Sequence, residues 1–506
     1  MNEKKEDGRR RPADENKRRV LHPLSSTVAD YAHPSSSSSS SSPPSSSSPE
    51  SSTSPSSSPP PIYHLSRRSP VYCTRGCVAT SQPLATSIGL HVLRGLGGNA
   101  ADASVAVAAA LSVLEPCSTG LGGDMFALWY DASTSVVSAV NGSGRSPAAS
   151  SIRDVERAHS SSCSSSSSST SVKEEELHSH FRRGVHSVTV PGAAMGWQDV
   201  HAKFGSGRLS LLELLEPAIE LAEGGFPVAP LTSFAWRSQM DSLTRWYTEE
   251  EIVGGGEVEM SVDGRGAGPM PGELFRNPGL AGVLRSLGVR GAGDGFYGGF
   301  PGRAIVEAVR KHGGVMTMDD MANHASTFPE PIRVEYRGVH VWEVPPNGQG
   351  VAGLIALEGL RSLEEGGIVE SPPPPSSSSR EDDCVVSSTG SGSTHRHHPQ
   401  PSCEMLHAQI EMMRLGFGDA RAHVCDPDFV VREESTTCWL LNKERIEKRA
   451  VELFDKERAA IHGGPDSTSC TVSFQVVDGE GNAMSFVNRY VYCFVDMYAR
   501  TSHFHP

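Results

Sequence analysis

Ser467-Thr-Ser-Cys-Thr-Val-Ser-Phe-Gln-Val-Val-Asp-Gly-Glu-Gly-Asn482 decides the fold, because it sets Thr471 at the mouth of a strand that has to be buried. From Thr471 onward polar and apolar residues alternate. This period of two predicts a strand with Val472, Phe474 and Val476 turned to the core. Asp478 to Asn482 reads as a tight turn, and Met484, Phe486 and Val487 begin the returning strand. Taken alone, this is a hairpin of a kind that many folds contain.

Composition bounds the rest. The chain has 506 residues, 37% of them apolar, which is enough for one large domain with long stretches left over. Residues 1–66 combine a mixed-charge opening with serine runs broken by Pro43, Pro44 and Pro59 to Pro61. So few apolar side chains cannot offset chain entropy, and the segment is expected to be a disordered tail. The same composition argument applies to inserts at 156–180 and 371–402. His395, His397 and His398 in the second insert read as a solvated tract rather than a metal site.

No apolar leader opens the chain, and no run of apolar residues is long enough to span a membrane. The expected compartment is therefore cytoplasmic. A formal charge of −14 argues against nucleic acid or an anionic membrane as partner. The ten cysteines include no Cys-x-x-Cys pair, and Cys73 and Cys77 lack companions at zinc-site spacing, so neither metal nor cofactor is expected.

The folded part is predicted to begin near Val71. A short strand around Cys77 leads to a helix from Ala85 to Leu96, with Ile88, Val92, Leu93 and Leu96 on one face and Gly97-Gly98 as its stop. Asn99-Ala-Ala-Asp102 opens a second helix, Ala103 to Leu114, apolar all round and built from small residues. Such a helix belongs between layers of a large domain. Glu115-Pro-Cys-Ser-Thr-Gly-Leu-Gly-Gly-Asp-Met-Phe126 follows, a glycine-rich loop entering a strand. With no lysine after the glycines and no helix opening there, it does not read as a phosphate loop. A further strand, Val136 to Val140, ends in Asn141-Gly-Ser-Gly-Arg-Ser-Pro147. Later come helices at 209–222, 302–312, 351–360 and 407–419, a hairpin at 333–341, and the loop Pro345-Pro-Asn-Gly-Gln-Gly350. On these grounds alone the chain is α+β or mixed α/β.

The frame of Thr471, Val476, Val477, Asp478, Gly481, Asn482 and Ala483 resembles the start of the small subunit of the γ-glutamyltranspeptidase family. The segments 76–130, 184–197 and 345–350 resemble that family's large subunit. Where well-known members carry histidine two residues after the threonine, this chain has Ser473, which is closer to a divergent branch that includes an oxamate amidohydrolase. The resemblance implies an αββα N-terminal-nucleophile hydrolase sandwich in which the chain cuts itself between Cys470 and Thr471. Residues 67–470 would form the large subunit and 471–506 the start of the small, catalytic one.

The implied activity is cleavage of γ-glutamyl amide bonds, as in glutathione, or of another small amide such as oxamate. A threonine hydroxyl needs a base, and the α-amino group freed on Thr471 by cleavage would serve. Arg145 would grip a substrate carboxylate, a task suited to a bidentate guanidinium. After Asn488 the pattern of the family fades, so a small subunit shortened at its C-terminus and an impaired catalyst are expected.

Overall fold

The computed structural model describes residues 71–154, 156–157, 184–244, 260–262, 264, 266–370, 402–426, 435–459 and 471–489. All of them fall in the unit Val71–Pro506. The expected tail, most of both inserts, Cys470 and residues 490–506 lie outside the described residues.

Alternation in the decisive stretch is met residue for residue. Strand β8, Thr471–Val477, buries Val472, Phe474 and Val476 and exposes Thr471, Ser473, Gln475 and Val477. It pairs antiparallel with β9, Ala483–Arg489, and the Phe474 and Phe486 rings stack 4.9 Å apart on the buried face. Three more strands complete a five-stranded sheet in the order β1-β8-β9-β2-β3. They are β1 (Cys77–Ala79), β2 (Met125–Asp131) and β3 (Val136–Gly142), and every pairing is antiparallel. Val487 lies half-buried on the face of Thr471, because it stands one residue out of phase with Phe486.

The buried face of the sheet rests on α2, Ala100–Leu114, every residue of which is buried. Its alanines let the helix approach the strands closely, with α1 (Pro83–His91), α3 (Ala193–Phe204) and α4 (Leu211–Gly224) packed around it. Asn99 and Asp102 form a capping box at its start. The hairpin turn adds a second cap, since Asp478 Oδ2 accepts the Ala100 N–H at 3.1 Å. Asp478 Oδ1 meanwhile accepts the N–H groups of Glu480 and Asn482, both at 3.0 Å. One carboxylate thus closes the turn of the decisive hairpin and fixes it to the central helix. The helix predicted to reach Leu96 stops earlier, at His91, where a π turn over 92–96 leads into left-handed Gly97 and leaves Leu96 38% exposed.

Outside this centre are α5 (Pro230–Thr244), α6 (Pro278–Ala292), α7 (Phe300–Lys311) and α8 (Met318–Ala322). Short strands β4 (Phe226–Pro227) and β5 (Leu274–Phe275) pair with each other, as do β6 (Ile332–Tyr336) and β7 (Val339–Glu343). Next to β6, α9 (Gly350–Glu365), α10 (Cys403–His423), α11 (Thr436–Leu440) and α12 (Lys443–Leu453) share their own apolar clusters. Buried Asp419 accepts hydrogen bonds from both Arg445 and Arg449 at 2.8 Å, which ties α12 to α10. No helix among the described residues is long and apolar enough to cross a membrane. The strands that would face the sheet across a sandwich are not among the described residues.

Asp478→Ala removes the shared acceptor of three backbone N–H groups and should lower unfolding free energy by about 2–4 kcal/mol in chemical denaturation. Glu480→Ala, on the exposed part of the same turn, should change it by less than about 0.5 kcal/mol.

Candidate active site

The register of the sheet sets four residues in a row at one end. Thr471 is directly opposite Arg489, and the Arg489 N–H donates to the Asp124 carbonyl at 2.8 Å. Because Met125 pairs with Gly142, Ser143 follows on the far side of Asp124. Opposed residues in antiparallel strands present their side chains to the same face, here the one turned away from α2. Thr471 is exposed on it. At a strand spacing of ~4.8 Å, the row from Thr471 to Ser143 spans about 14 Å.

Asp124 joins this row to the loop that carries Arg145. Its Oδ1 accepts the Gly144 N–H at 2.8 Å. Burial pushes the carboxyl pKa up, opposed by that hydrogen bond and by the charge of Arg489. Next in the chain, the Arg145 carbonyl accepts the Val190 N–H at 2.9 Å. Gly144 passes so near this segment that an added Cβ would lie 1.5 Å from the Val190 carbonyl oxygen, so no side chain fits there. The Arg145 side chain is exposed, and its charge reaches His324.

His324 is 6% exposed, with its ring 5.3 Å from that of Tyr297. Burial first and the charge of Arg145 second hold its pKa down at about 4, so the imidazole is neutral at physiological pH.

The loop 345–350 crosses the open face at the same end. Asn347 exchanges hydrogen bonds with Ser143, accepting from its hydroxyl at 3.1 Å and donating to it at 3.0 Å, and it accepts from Asn141 at 3.1 Å. Gly348 stands over the Phe126 ring. Thus two segments that the sequence singles out, 141–147 and 345–350, meet at the end of the sheet where Thr471 begins β8.

The glycine-rich loop 120–123 serves a structural end. The Gly123 carbonyl accepts the N–H groups of Gly192 at 3.0 Å and Ala193 at 2.9 Å, capping the start of α3. Buried Asn488 donates to Thr119 Oγ1 at 2.5 Å and accepts from Trp197 Nε1 at 3.1 Å, which holds β9, the loop and α3 together. Among the described residues no group of three or more His, Cys, Asp or Glu side chains could hold a metal ion.

Sequence reasoning missed Arg489, Asp124, Asn347 as a partner of Ser143, and His324. Arg489 and Asp124 were legible in principle, by counting across the strands once their order was known; His324 carried no signal. Chemically, the site presents an exposed hydroxyl with Arg489 directly opposite it and Arg145 beyond the far end of the row, on a surface of small polar side chains. It suits nucleophilic attack on a small, anionic carbonyl compound.

The family model for gamma-glutamyltranspeptidase matches residues 85–492. A glutathione hydrolase-like YwrD proenzyme of Bacillus subtilis is 31% identical over 82% of this chain and 66% of its own length. The oxamate amidohydrolase proenzyme of Klebsiella pneumoniae is 27% identical, with the same coverage of 82% and 66%. Among solved structures, cephalosporin acylase from Bacillus halodurans is similar with a TM-score of 0.64 and 32% identity, over 86% of this chain and 69% of that one. The chain spans between 51% and 66% of the length of the first curated relatives it matches.

The depressed pKa of His324 makes stability depend on acid. Between the ordinary histidine pKa of 6.5 and about 4, the unfolded chain takes up a proton that the folded chain refuses, so stability falls as pH drops through that window. The loss should total roughly 2–4 kcal/mol. His324→Gln should flatten the fall, as read by denaturant midpoints at pH 7, 5.5 and 4.5.

Proposed function

Because the chain belongs to the gamma-glutamyltranspeptidase family, we propose that it cleaves small amides with Thr471 as nucleophile, γ-glutamyl compounds such as glutathione being the substrate class. The observation that carries this reading is the position of Thr471: first residue of a central strand, side chain exposed, at the sheet end where loops 141–147 and 345–350 meet. A nucleophile at a strand end has a fixed backbone and an open approach for substrate.

The steps follow from that position. In the intact chain, Thr471 Oγ attacks the carbonyl of residue 470, the acyl group moves from nitrogen to oxygen, and water releases it. Residues 67–470 then form the large subunit and residues 471–506 begin the small one, its partner. The freed amine of Thr471 takes the hydroxyl proton as Oγ attacks the substrate amide carbon, then delivers a proton to the departing nitrogen. Water or an acceptor amine removes the acyl group from oxygen. Arg145, exposed on a loop pinned by Asp124 and Val190, holds the substrate carboxylate.

A second reading is hydrolysis of another small amide, such as oxamate. It is favoured by Ser473, which lies beside Thr471 on the open face where a larger side chain would narrow the site.

Full-length protein offered glutathione, a chromogenic γ-glutamyl anilide and oxamate separately should turn over at least one, and Thr471→Ala should reduce turnover to background. Arg145→Ala should lower kcat/KM by ~10- to 1,000-fold, as loss of charge-assisted hydrogen bonds does, with poor rescue by lysine. Turnover of oxamate alone would remove the γ-glutamyl reading. An unchanged rate in Thr471→Ala would remove Thr471 as nucleophile.

A further inference from the structure

Arg489 is the cationic residue of the row across the sheet end and is directly opposite Thr471. As directly opposed residues of antiparallel strands, the two have Cα atoms ~4.5–5.5 Å apart and side chains on one face. The Arg489 backbone is held by its ladder position and by the bond to Asp124. Its side chain is exposed, and among the described residues no carboxylate forms an ion pair with it. The nearest acid in the row is Asp124. Burial pushes the pKa of that carboxyl up, and its Oδ1 is already engaged by the Gly144 N–H.

This inference rests on Thr471 being the nucleophile of an amide-cleaving site. Attack fixes the substrate carbonyl carbon ~3–3.5 Å from Oγ. An acyl group with a carboxylate one to three carbons further on must then place that charge within the sweep of Arg489. Arg145 follows Ser143, about 14 Å from Thr471 across the row, and suits a carboxylate on a longer acyl group. We propose that Arg489 is the specificity residue of this chain, and that it selects monoamides of short dicarboxylic acids by pairing with the carboxylate beside the scissile carbonyl. An uncharged amide leaves the guanidinium without a partner and gains nothing from it.

The experiment measures kcat/KM of the full-length protein for oxamate, succinamate and the uncharged acetamide, in wild type, Arg489→Ala and Arg489→Lys. It also measures the inhibition constant of oxalate against whichever amide is turned over fastest. In Arg489→Ala, kcat/KM for the two charged amides should fall by ~100-fold or more while acetamide stays within threefold, and the oxalate constant should rise by a similar factor. Lysine, which keeps the charge without the fork, should recover part of both. Equal losses on charged and uncharged amides, or an oxalate constant unchanged within twofold, would overturn the proposal. Failure of the underlying reading looks different: wild type would turn over none of these amides and no γ-glutamyl anilide.

Discussion

The structure depends on the contact between the apolar face of the β8–β9 hairpin and the buried helix α2. Val472, Phe474, Val476, Met484 and Phe486 are each almost wholly removed from water, at ~1.5–3 kcal/mol per large side chain. A strand offers only two faces, so burying this set forces Thr471, Ser473 and Gln475 onto the other one. A slip of one residue would expose the phenylalanines and bury the threonine. The alanines of α2 permit the close approach, and Asp478 locks the register by joining the turn to the start of that helix. The position of the proposed nucleophile is thus a consequence of core packing one and three residues along the chain.

From that register the remainder of the site follows by adjacency. The pairings Thr471 with Arg489 and Met125 with Gly142 align Asp124 and Ser143 at the same end, and loop 345–350 is held over them through Asn347. This end carries two exposed arginines, Arg489 and Arg145, and one partly buried carboxyl, Asp124, whose pKa burial pushes up. On the proposed function, such a site would discriminate among substrates by charge and by the distance between carboxylate and amide. The two arginines sample two such distances from one hydroxyl.

Much of this was legible in the sequence, for identifiable reasons. The alternation in Thr471–Val477, the helix opening at Asn99-Ala-Ala-Asp102 and the apolar character of α2 are local signals, and each appears in the structure where it was read. The end of α1 was misread because the apolar spacing continues past His91 while the backbone opens into a π turn that no side chain announces. What could not be read is the order of strands. The meeting of residues 124, 143, 347, 471 and 489 is set by pairings across up to 365 positions, and nothing local encodes them.

The central claim, that this fold presents Thr471 as an N-terminal nucleophile, is tested most directly by intact mass and N-terminal sequencing of the purified full-length protein. The account predicts a fragment whose first residue is Thr471, formed without added protease, and a single uncut chain for Thr471→Ala. A wild-type chain that stays whole after prolonged incubation with its fold intact, or a Thr471→Ala chain that is cut at the same bond, would contradict it.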